Sequence, residues 1–355
     1  MSDLTEQFRE RVLAAAVDKA PLRIRGGGTK DFYGNAPAGE LLDTTGHAGL
    51  VAYEPTELVV TVRAGTRLAE LEAALGERGQ MLAFEPPHFG ETATAGGCVA
   101  AGLSGPRRAA AGAVRDFVLG VKLLDGKGEI LNFGGQVMKN VAGYDVSRLM
   151  AGALGTLGLL LEVSLKVLPK PPAEATLRLE LPQDQAIETM NRWGGQPLPL
   201  SATCWSDGLL TLRLSGARAA VAAAKERIGG EAVADAEAFW RGVREQEDGF
   251  FSNAAALWRL SLPAKTAPLS LPGEPLIEWG GALRWLRGDQ GAEQVRNLAA
   301  SAGGHATLFR GEDALKTAAG AFHPLSPVLA KIHRNLKQAF DPAGVFNRGR
   351  MYPEF

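Results

Sequence analysis

The sequence predicts a two-domain fold that mixes helices with strands, on three observations. The chain has 355 residues, more than one ordinary core accommodates. Glycine is dense up to about residue 160, between short strand-like runs. Beyond Pro169, Pro171 and Pro172 the texture changes to alternating polar and apolar runs separated by helical patterns, so the domain boundary is expected at 172.

The first element is an amphipathic helix. Asp3 and Glu6 have capping-box spacing, and Leu4, Phe8 and Leu13 begin an apolar stripe unlike a signal-peptide core. Residues 21–25 read as a strand ending in the tight loop Gly26-Gly27-Gly28, and 58–62 as a β-branched strand. Thr66 is placed to cap a helix whose Leu68, Leu71 and Leu75 share a face, with Gly79 to close it. A strand over 81–84 leads into Pro86-Pro87. Runs 118–124 and 129–133 flank Asp125-Gly126-Lys127-Gly128, a hairpin signal, and the apolar run 157–168 reads as a buried strand. In the second half, 176–181 and 210–214 alternate as half-buried antiparallel strands do, and helices are expected over 184–193, 217–228 and 290–302. The six tryptophans, Trp193, Trp205, Trp240, Trp258, Trp279 and Trp285, all fall here; core packing is the main expectation, a pocket or a partner surface the alternative.

Composition excludes several classes. Apolar residues make up 46% and charged residues 22%, as in a globular protein, and the net charge of −1 gives no global pull towards nucleic acid or an anionic membrane. Cys98 and Cys204 lack CxxC spacing, which fits a reducing, cytoplasmic setting and excludes an iron–sulfur cluster carried by this chain alone. No apolar run approaches the ~18 residues of a membrane span, so any attachment to the inner face of a membrane is expected through partners.

Four segments carry the functional signal. In Arg25-Gly26-Gly27-Gly28-Thr29-Lys30, successive glycines after a strand leave N–H groups open, and Thr29 and Lys30 add donors suited to a pyrophosphate; a flexible turn is the alternative. In 93–105, with Thr94, Gly96, Gly97, Ala101 and Gly105, nearly every side chain is tiny, so the backbone could approach a flat ligand or simply start a close-packed helix. Cys98 there reads as a buried filler. The third segment runs from Lys139 and Asp145 through Gly152, Gly155, Thr156 and Gly158; it does not fit GxGxxG, so a nicotinamide site is poorly supported, and Gly120 to Gly126-Lys127 has the wrong spacing for a P-loop. The fourth, 340–347, reads as a helix end and turn.

Taken in order, these segments resemble the FAD-binding (PCMH-type) domain of the vanillyl-alcohol oxidase and p-cresol methylhydroxylase superfamily. The loop 25–30 resembles its pyrophosphate loop, Thr94 to Gly105 its second glycine stretch, and Arg115-Asp116-Phe117-Val118 the strand that follows. Gly155-Thr156-Leu157-Gly158 resembles an element whose following backbone, at Leu160, contacts the flavin nucleotide, and Asp341-Pro342 with Asn347 the closing motif. Within the superfamily the chain is most similar to the E-type FAD-binding subunits of glycolate oxidase, through the run 134–150, Gly105-Pro106-Arg107-Arg108 and Val114-Arg115-Asp116.

The resemblance implies an α+β fold: a two-lobed flavin domain over 1–172, a smaller antiparallel ferredoxin-like cap over 173–304, and a segment over 305–355 returning to the flavin domain. It implies non-covalently held FAD, bound by Arg25, Gly26, Gly27, Gly28, Thr29, Lys30, Thr94, Gly96, Gly97, Ala101, Gly105, Asp145, Gly152, Gly155, Thr156, Gly158, Leu160 and Asn347. It also implies a glycolate oxidase complex with a larger D-type FAD-carrying partner and an F-type iron–sulfur partner, oxidising glycolate to glyoxylate. The alternatives are a stand-alone oxidoreductase of another small 2-hydroxy acid and a flavin-free scaffold. Related 2-hydroxy acid dehydrogenases carry a histidine-rich metal site, but His47, His88, His305, His323 and His333 do not repeat at ligand spacing, so no metal is expected. His88 is then the candidate base near a flavin ring, with a backbone-bonded turn histidine as the alternative. Arg107, Arg108 and Lys139 could neutralise a carboxylate or reduced flavin, meet a partner, or be solvated.

Overall fold

The computed structural model describes residues 3–135, 144–252, 255–270, 272–288 and 290–355. The chain opens with α1 (Thr5–Asp18), whose first turn is held by Thr5 N–H donating to Asp3 Oδ1 at 3.0 Å rather than by a full capping box. Strands β1 (Leu22–Arg25) and β2 (Glu40–Asp43) pair in parallel. There follow β3 (Leu50–Glu54), β4 (Val59–Arg63), α2 (Leu68–Gly76), β5 (Gln80–Met81), α3 (Ala95–Ala101), α4 (Arg108–Ala111) and α5 (Val114–Phe117). Then come β6 (Val118–Leu124), β7 (Ile130–Gly134), α6 (Tyr144–Leu149), β8 (Leu159–Lys166) and β9 (Leu168–Pro169), which pairs with β5.

A five-stranded antiparallel sheet runs β3-β4-β8-β6-β7. Its central strands β6 and β8 are nearly continuous apolar runs because both faces are covered. On one face Val60, Val163 and Leu165 pack with Leu71 and Leu75 of α2. On the other, Leu124, Leu159 and Leu161 pack with Phe8 and Val12 of α1 and with Leu22, Leu42 and Phe346. The β1–β2 pair therefore rides on the larger sheet, and the loop after β1 starts from a fixed base.

Two local expectations differ from what forms. Thr66 does not cap α2, where Arg67 takes the cap position; its hydroxyl donates to Arg63 O at 2.7 Å and accepts from Gly49 N–H at 2.9 Å, closing the β4 end onto the preceding turn. The strand expected over 81–84 stops at Met81, because Glu85 adopts a positive φ of 48° that aims its carboxylate at Arg107 and Arg213.

The second half builds on β10 (Ala173–Glu180), α7 (Gln183–Gly194), β11 (Leu200–Ser206), β12 (Leu209–Gly216), α8 (Arg218–Ile228) and β13 (Glu231–Ala232). After α9 (Ala236–Glu245) come β14 (Leu257–Ser261), β15 (Leu276–Glu278), β16 (Leu283–Arg287), α10 (Ala292–Ser301) and β17 (His305–Arg310). The strand order is β13-β10-β12-β11-β15-β16-β14-β17. The first four strands have the βαββαβ connectivity and antiparallel order of a ferredoxin-like unit, and the last four repeat that order. Strands β11 and β15 join the halves through Cys204↔Glu278 and Trp205↔Ile277. Because β17 pairs with β14, this sheet runs on past residue 304 to Arg310.

Helices α7, α8 and α10 cover one sheet face, with Trp205 and Trp258 packed beneath them. The other face meets the first half through Trp240, Trp279, Trp285 and Phe309 against Tyr33, Leu103 and Leu154. Five of the six tryptophans are buried, and Trp193 is half-buried.

The chain then returns through α11 (Asp313–Ala319) and α12 (Pro327–Phe340). Lys337 Nζ is buried and donates to Thr156 O at 2.7 Å, Asp341 Oδ2 at 2.7 Å and Phe346 O at 2.8 Å. Asp341 in turn accepts from Val345 N–H at 3.0 Å and Phe346 N–H at 2.8 Å. Removing one member of such a pair strands a buried charge, at about 3–5 kcal/mol. Asp341→Ala is therefore expected to lose that much stability in urea unfolding, and Lys337→Met with Asp341→Asn together much less; equal losses would contradict a buried pair.

Candidate functional site

The four glycine-bearing segments converge beside β1. Arg25 Nε is paired with Asp31 Oδ2 at 2.6 Å across the loop 26–30, and Gly28 turns it at a φ of 73°. The loop lies on the 92–97 segment: Thr92 Oγ1 donates to Gly27 O at 2.7 Å, and Thr94 caps α3 by accepting Gly97 N–H at 3.2 Å. Asn347 ties the third segment to the first. Its Oδ1 accepts Ile24 N–H at 2.7 Å, and its Nδ2 donates to Leu154 O at 2.6 Å.

Between these walls runs one cleft in two adjoining parts of about 520 Å³ and about 530 Å³, which share Gly26, Gly97, Ala100, Leu154 and Asn347. One part is apolar, lined by Met150, Leu157, Leu159 and Leu160 with Gly96, Gly155 and Gly158. The other is polar, lined by Arg25 to Lys30, Thr94, Ala101 and Arg350. Lys30 donates to His88 O at 3.1 Å, and burial lowers its pKa. An apolar slot continuous with main-chain donors and a half-buried cation suits a dinucleotide, whose flat ring and pyrophosphate make those two demands. The residues present therefore fit FAD.

The glycines serve the cleft differently from the expected bare approach to a ligand. A Cβ on Gly26 would run into Thr94 Oγ1, on Gly27 into Thr92 O, and on Gly96 would lie 2.5 Å from Ala64 Cβ. Gly155, at a φ of 70°, would meet Asn347 Nδ2 at 2.7 Å. These positions are glycine because wall packs on wall; the exposed main chain is a consequence.

Several expected ligands stand elsewhere. Thr156 is buried with Oγ1 donating to Ala153 O at 2.7 Å, and Gly152 backs onto Gly102. Gly105 lines a separate cavity, and Asp145 is exposed on α6. Lys139 lies outside the described residues, as do residues 136–143 of the run 134–150. The His88 ring is paired through Nε2 with Glu72 Oε2 at 3.1 Å and lines neither the cleft nor that cavity, while Glu245 accepts from His88 and Phe89 N–H. It therefore takes a structural position rather than that of a free base. Sequence reading missed Arg350, which lines the polar part and donates to Lys30 O at 3.2 Å and Asp31 O at 2.8 Å. No local spacing marks it.

Arg107 and Arg108 are not free cations either. Arg107 is buried between Glu85 at 3.3 Å and Glu174 at 2.6 Å, and Arg213 joins Glu85 at 2.8 Å. Burial opposes the Glu85 charge, but Arg213 and Arg107 outweigh it and lower the pKa. Arg108 stacks 4.5 Å from the Trp279 ring centroid. A further, narrow cavity lies between the halves, where Glu278 is buried. Among the described residues, no group of three or more His, Cys, Asp or Glu is placed to hold a metal.

Comparisons with known proteins agree with this geometry. Residues 3–134 match the family model of an FAD binding domain. Glycolate oxidase subunit GlcE of Escherichia coli (strain K12) is 51% identical over 99% of this chain and 98% of its own length. Glycolate oxidase subunit GlcD of Bacillus subtilis (strain 168) is 30% identical over 49% of this chain and 37% of its own. Among solved structures, alkyldihydroxyacetonephosphate synthase has the same fold, with a TM-score of 0.64 at 14% identity, over 96% of this chain and 74% of that one. The protein thus carries an FAD binding domain. The chain belongs to the family of the glycolate oxidase subunit GlcE.

Gly27→Val is expected to lower the melting temperature by several degrees and to lose flavin, because its side chain would drive two walls apart. Lys30→Met should keep the fold and weaken FAD retention about tenfold or more. Melting curves and bound-flavin absorbance check both; a Gly27→Val protein with normal values would contradict the packing.

The Glu278 carboxyl titrates upward, from 4.5 to about 7, because burial disfavours its charge more than Trp285 and Arg259 favour it, with Glu85 adding repulsion. Cys204, beside it on β11, is held neutral by its own burial. The folded state thus holds the Glu278 proton where the unfolded state has released it, so stability falls as pH rises from about 4.5 to about 7, then levels. The shift corresponds to about 3 kcal/mol. Urea unfolding across that range should show a shallower fall for Glu278→Gln; identical slopes would contradict the assignment.

Proposed function

We propose that this chain is an FAD-carrying subunit of a complex that oxidises glycolate to glyoxylate. What carries the reading is the continuous cleft of loop 25–30, Thr94 to Ala101, and Leu154 to Leu160, in a chain 51% identical to GlcE along nearly its whole length. The flavin, when bound, supplies the two-electron chemistry. The chain's own residues orient it: loop 25–30 with Lys30 and Arg350 hold the pyrophosphate, and Gly155 to Leu160 receive the nucleotide end. Among the described residues lining either part, none is His, Cys or Tyr, which supports non-covalent retention.

The flavin domain is proposed to span 1–172, and the cap to run from 173 through β17, with the remainder returning to the flavin domain. A larger flavoprotein like GlcD and an iron–sulfur protein are the proposed partners that carry electrons onward. No helix among the described residues is long and apolar enough to cross a membrane, which fits a cytoplasmic chain that reaches a membrane only through those partners.

Purified alone, the chain is expected to retain FAD. Added anaerobically to the assembled complex, glycolate should bleach the flavin absorbance, and Lys30→Met in this subunit should reduce the bleached fraction. A chain that stays colourless after reconstitution with FAD would overturn the reading.

A further inference from the structure

Lys316 is a buried cation to which nothing above gives a task. It stands on α11 at 3% exposure and donates from Nζ to Phe32 O, with no carboxylate at ion-pair distance among the described residues. Keeping an ammonium in such a place costs stability, because a lone carbonyl offsets the lost hydration only in part. Burial lowers its pKa from 10.5 to about 8; Arg350 and Arg310 add to the fall, and Asp313 on its own helix opposes it.

The loop that Phe32 closes is satisfied on one side only. Its carbonyls are bonded within the protein. Gly27 O accepts from Thr92 Oγ1 at 2.7 Å, Gly28 O from Asp31 N–H at 3.1 Å, and Lys30 O from Tyr33 N–H at 3.0 Å. Asp31 O accepts from Arg350 at 2.8 Å, and Phe32 O from Lys316. The N–H groups of Gly26 to Lys30, by contrast, have no acceptor among the described residues. Tied acceptors beside open donors suit an anion, since a carbonyl turned towards it would repel it. The side chains that hold the carbonyls of residues 31 and 32 both come from the segment that returns after β17.

We propose that Lys316 is a positioning residue for the cofactor's pyrophosphate: by holding Phe32 O outside the cleft, it keeps that end of the loop from turning its carbonyls inward and leaves the N–H groups of 26–30 to the phosphate oxygens. The inference rests on the placement of the pyrophosphate at loop 25–30 proposed above. Lys316 lines neither part of the cleft, so it acts through the loop and not by contact. The ammonium form is the stronger donor, and its charge adds to the field that favours the phosphates. Affinity is therefore full while Lys316 is protonated and falls as pH rises through about 8.

The test is the affinity of the full chain, stripped of flavin, for FAD. It is read by flavin fluorescence on both sides of pH 8, with ADP and adenosine as competitors. Lys316→Met is expected to weaken FAD and ADP about tenfold, to leave adenosine, which lacks the pyrophosphate, unchanged, and to flatten the fall above pH 8. Lys316→Arg keeps the charge and should hold its affinity across that range. Burial also lowers the Lys30 pKa, but Lys30 titrates in all three proteins, so the differences between them isolate Lys316. Unchanged FAD and ADP affinity in a folded Lys316→Met protein, an equal loss for adenosine, or an unaltered pH profile would overturn the proposal. Lys30→Met weakening ADP while Lys316→Met does not strikes this inference alone. ADP that fails to compete with FAD on the unaltered chain strikes the placement of the pyrophosphate, and this inference with it. If Lys316→Met does not fold, Lys316→Arg decides: a fall above pH 8 as steep as in the unaltered chain overturns the proposal.

Discussion

Asn347 is the constraint on which the cleft depends. One side chain, fixed at both ends, joins the strand before the glycine loop to the segment that carries Gly155. Each bond contributes about 1 kcal/mol to stability, but the geometric effect is larger, because these two bonds set the spacing between facing walls. The buried Lys337–Asp341 pair holds the turn that presents Asn347, and Lys337 also reaches Thr156 O in the opposite wall. The end of the chain thus acts as a bracket on its beginning. That is why a segment far from the loop in sequence decides the loop's position.

Much of the cofactor cleft was legible in the sequence because its signals are local. The run from Arg25 to Lys30 and the tiny side chains from Ala93 to Gly105 announce close main-chain packing wherever they occur. The alternating strands of the second half, and the helices α7, α8 and α10, were legible for the same reason. The reason for the glycines was not. The atoms that exclude a Cβ at Gly26 and Gly27 belong to Thr94 and Thr92, and only the fold brings them close. Arg350 and the pairing of His88 with Glu72 escaped for the same cause, as did the extension of the second sheet through β17. Thr156 was misread in the other direction: its motif lies at the cleft, but its hydroxyl turns back to Ala153 O.

The interface between the halves divides into two chemistries. Glu85, Arg107, Arg213 and Glu174 neutralise one another and tie the second half of the chain to the first, which removes Arg107 from any role as a free cation. Arg259 and Glu278 sit on the same sheet face without an ion pair, Arg259 over the Trp279 ring and Glu278 bonded to Trp285 Nε1. Glu174, Arg213, Arg259 and Glu278 stand on strands whose charged positions alternate with apolar ones that pack under the helices, whereas Glu85 and Arg107 lie outside strands.

The central claim is that walls drawn together by Asn347 enclose one dinucleotide. Amide hydrogen exchange of the chain with and without FAD tests it most directly. The account predicts slowed exchange on loading in residues 25–30, 94–101 and 154–160 together, with little change in α7, α8 and α10. Slowing confined to one of those three segments, or centred on the cap helices, would contradict it.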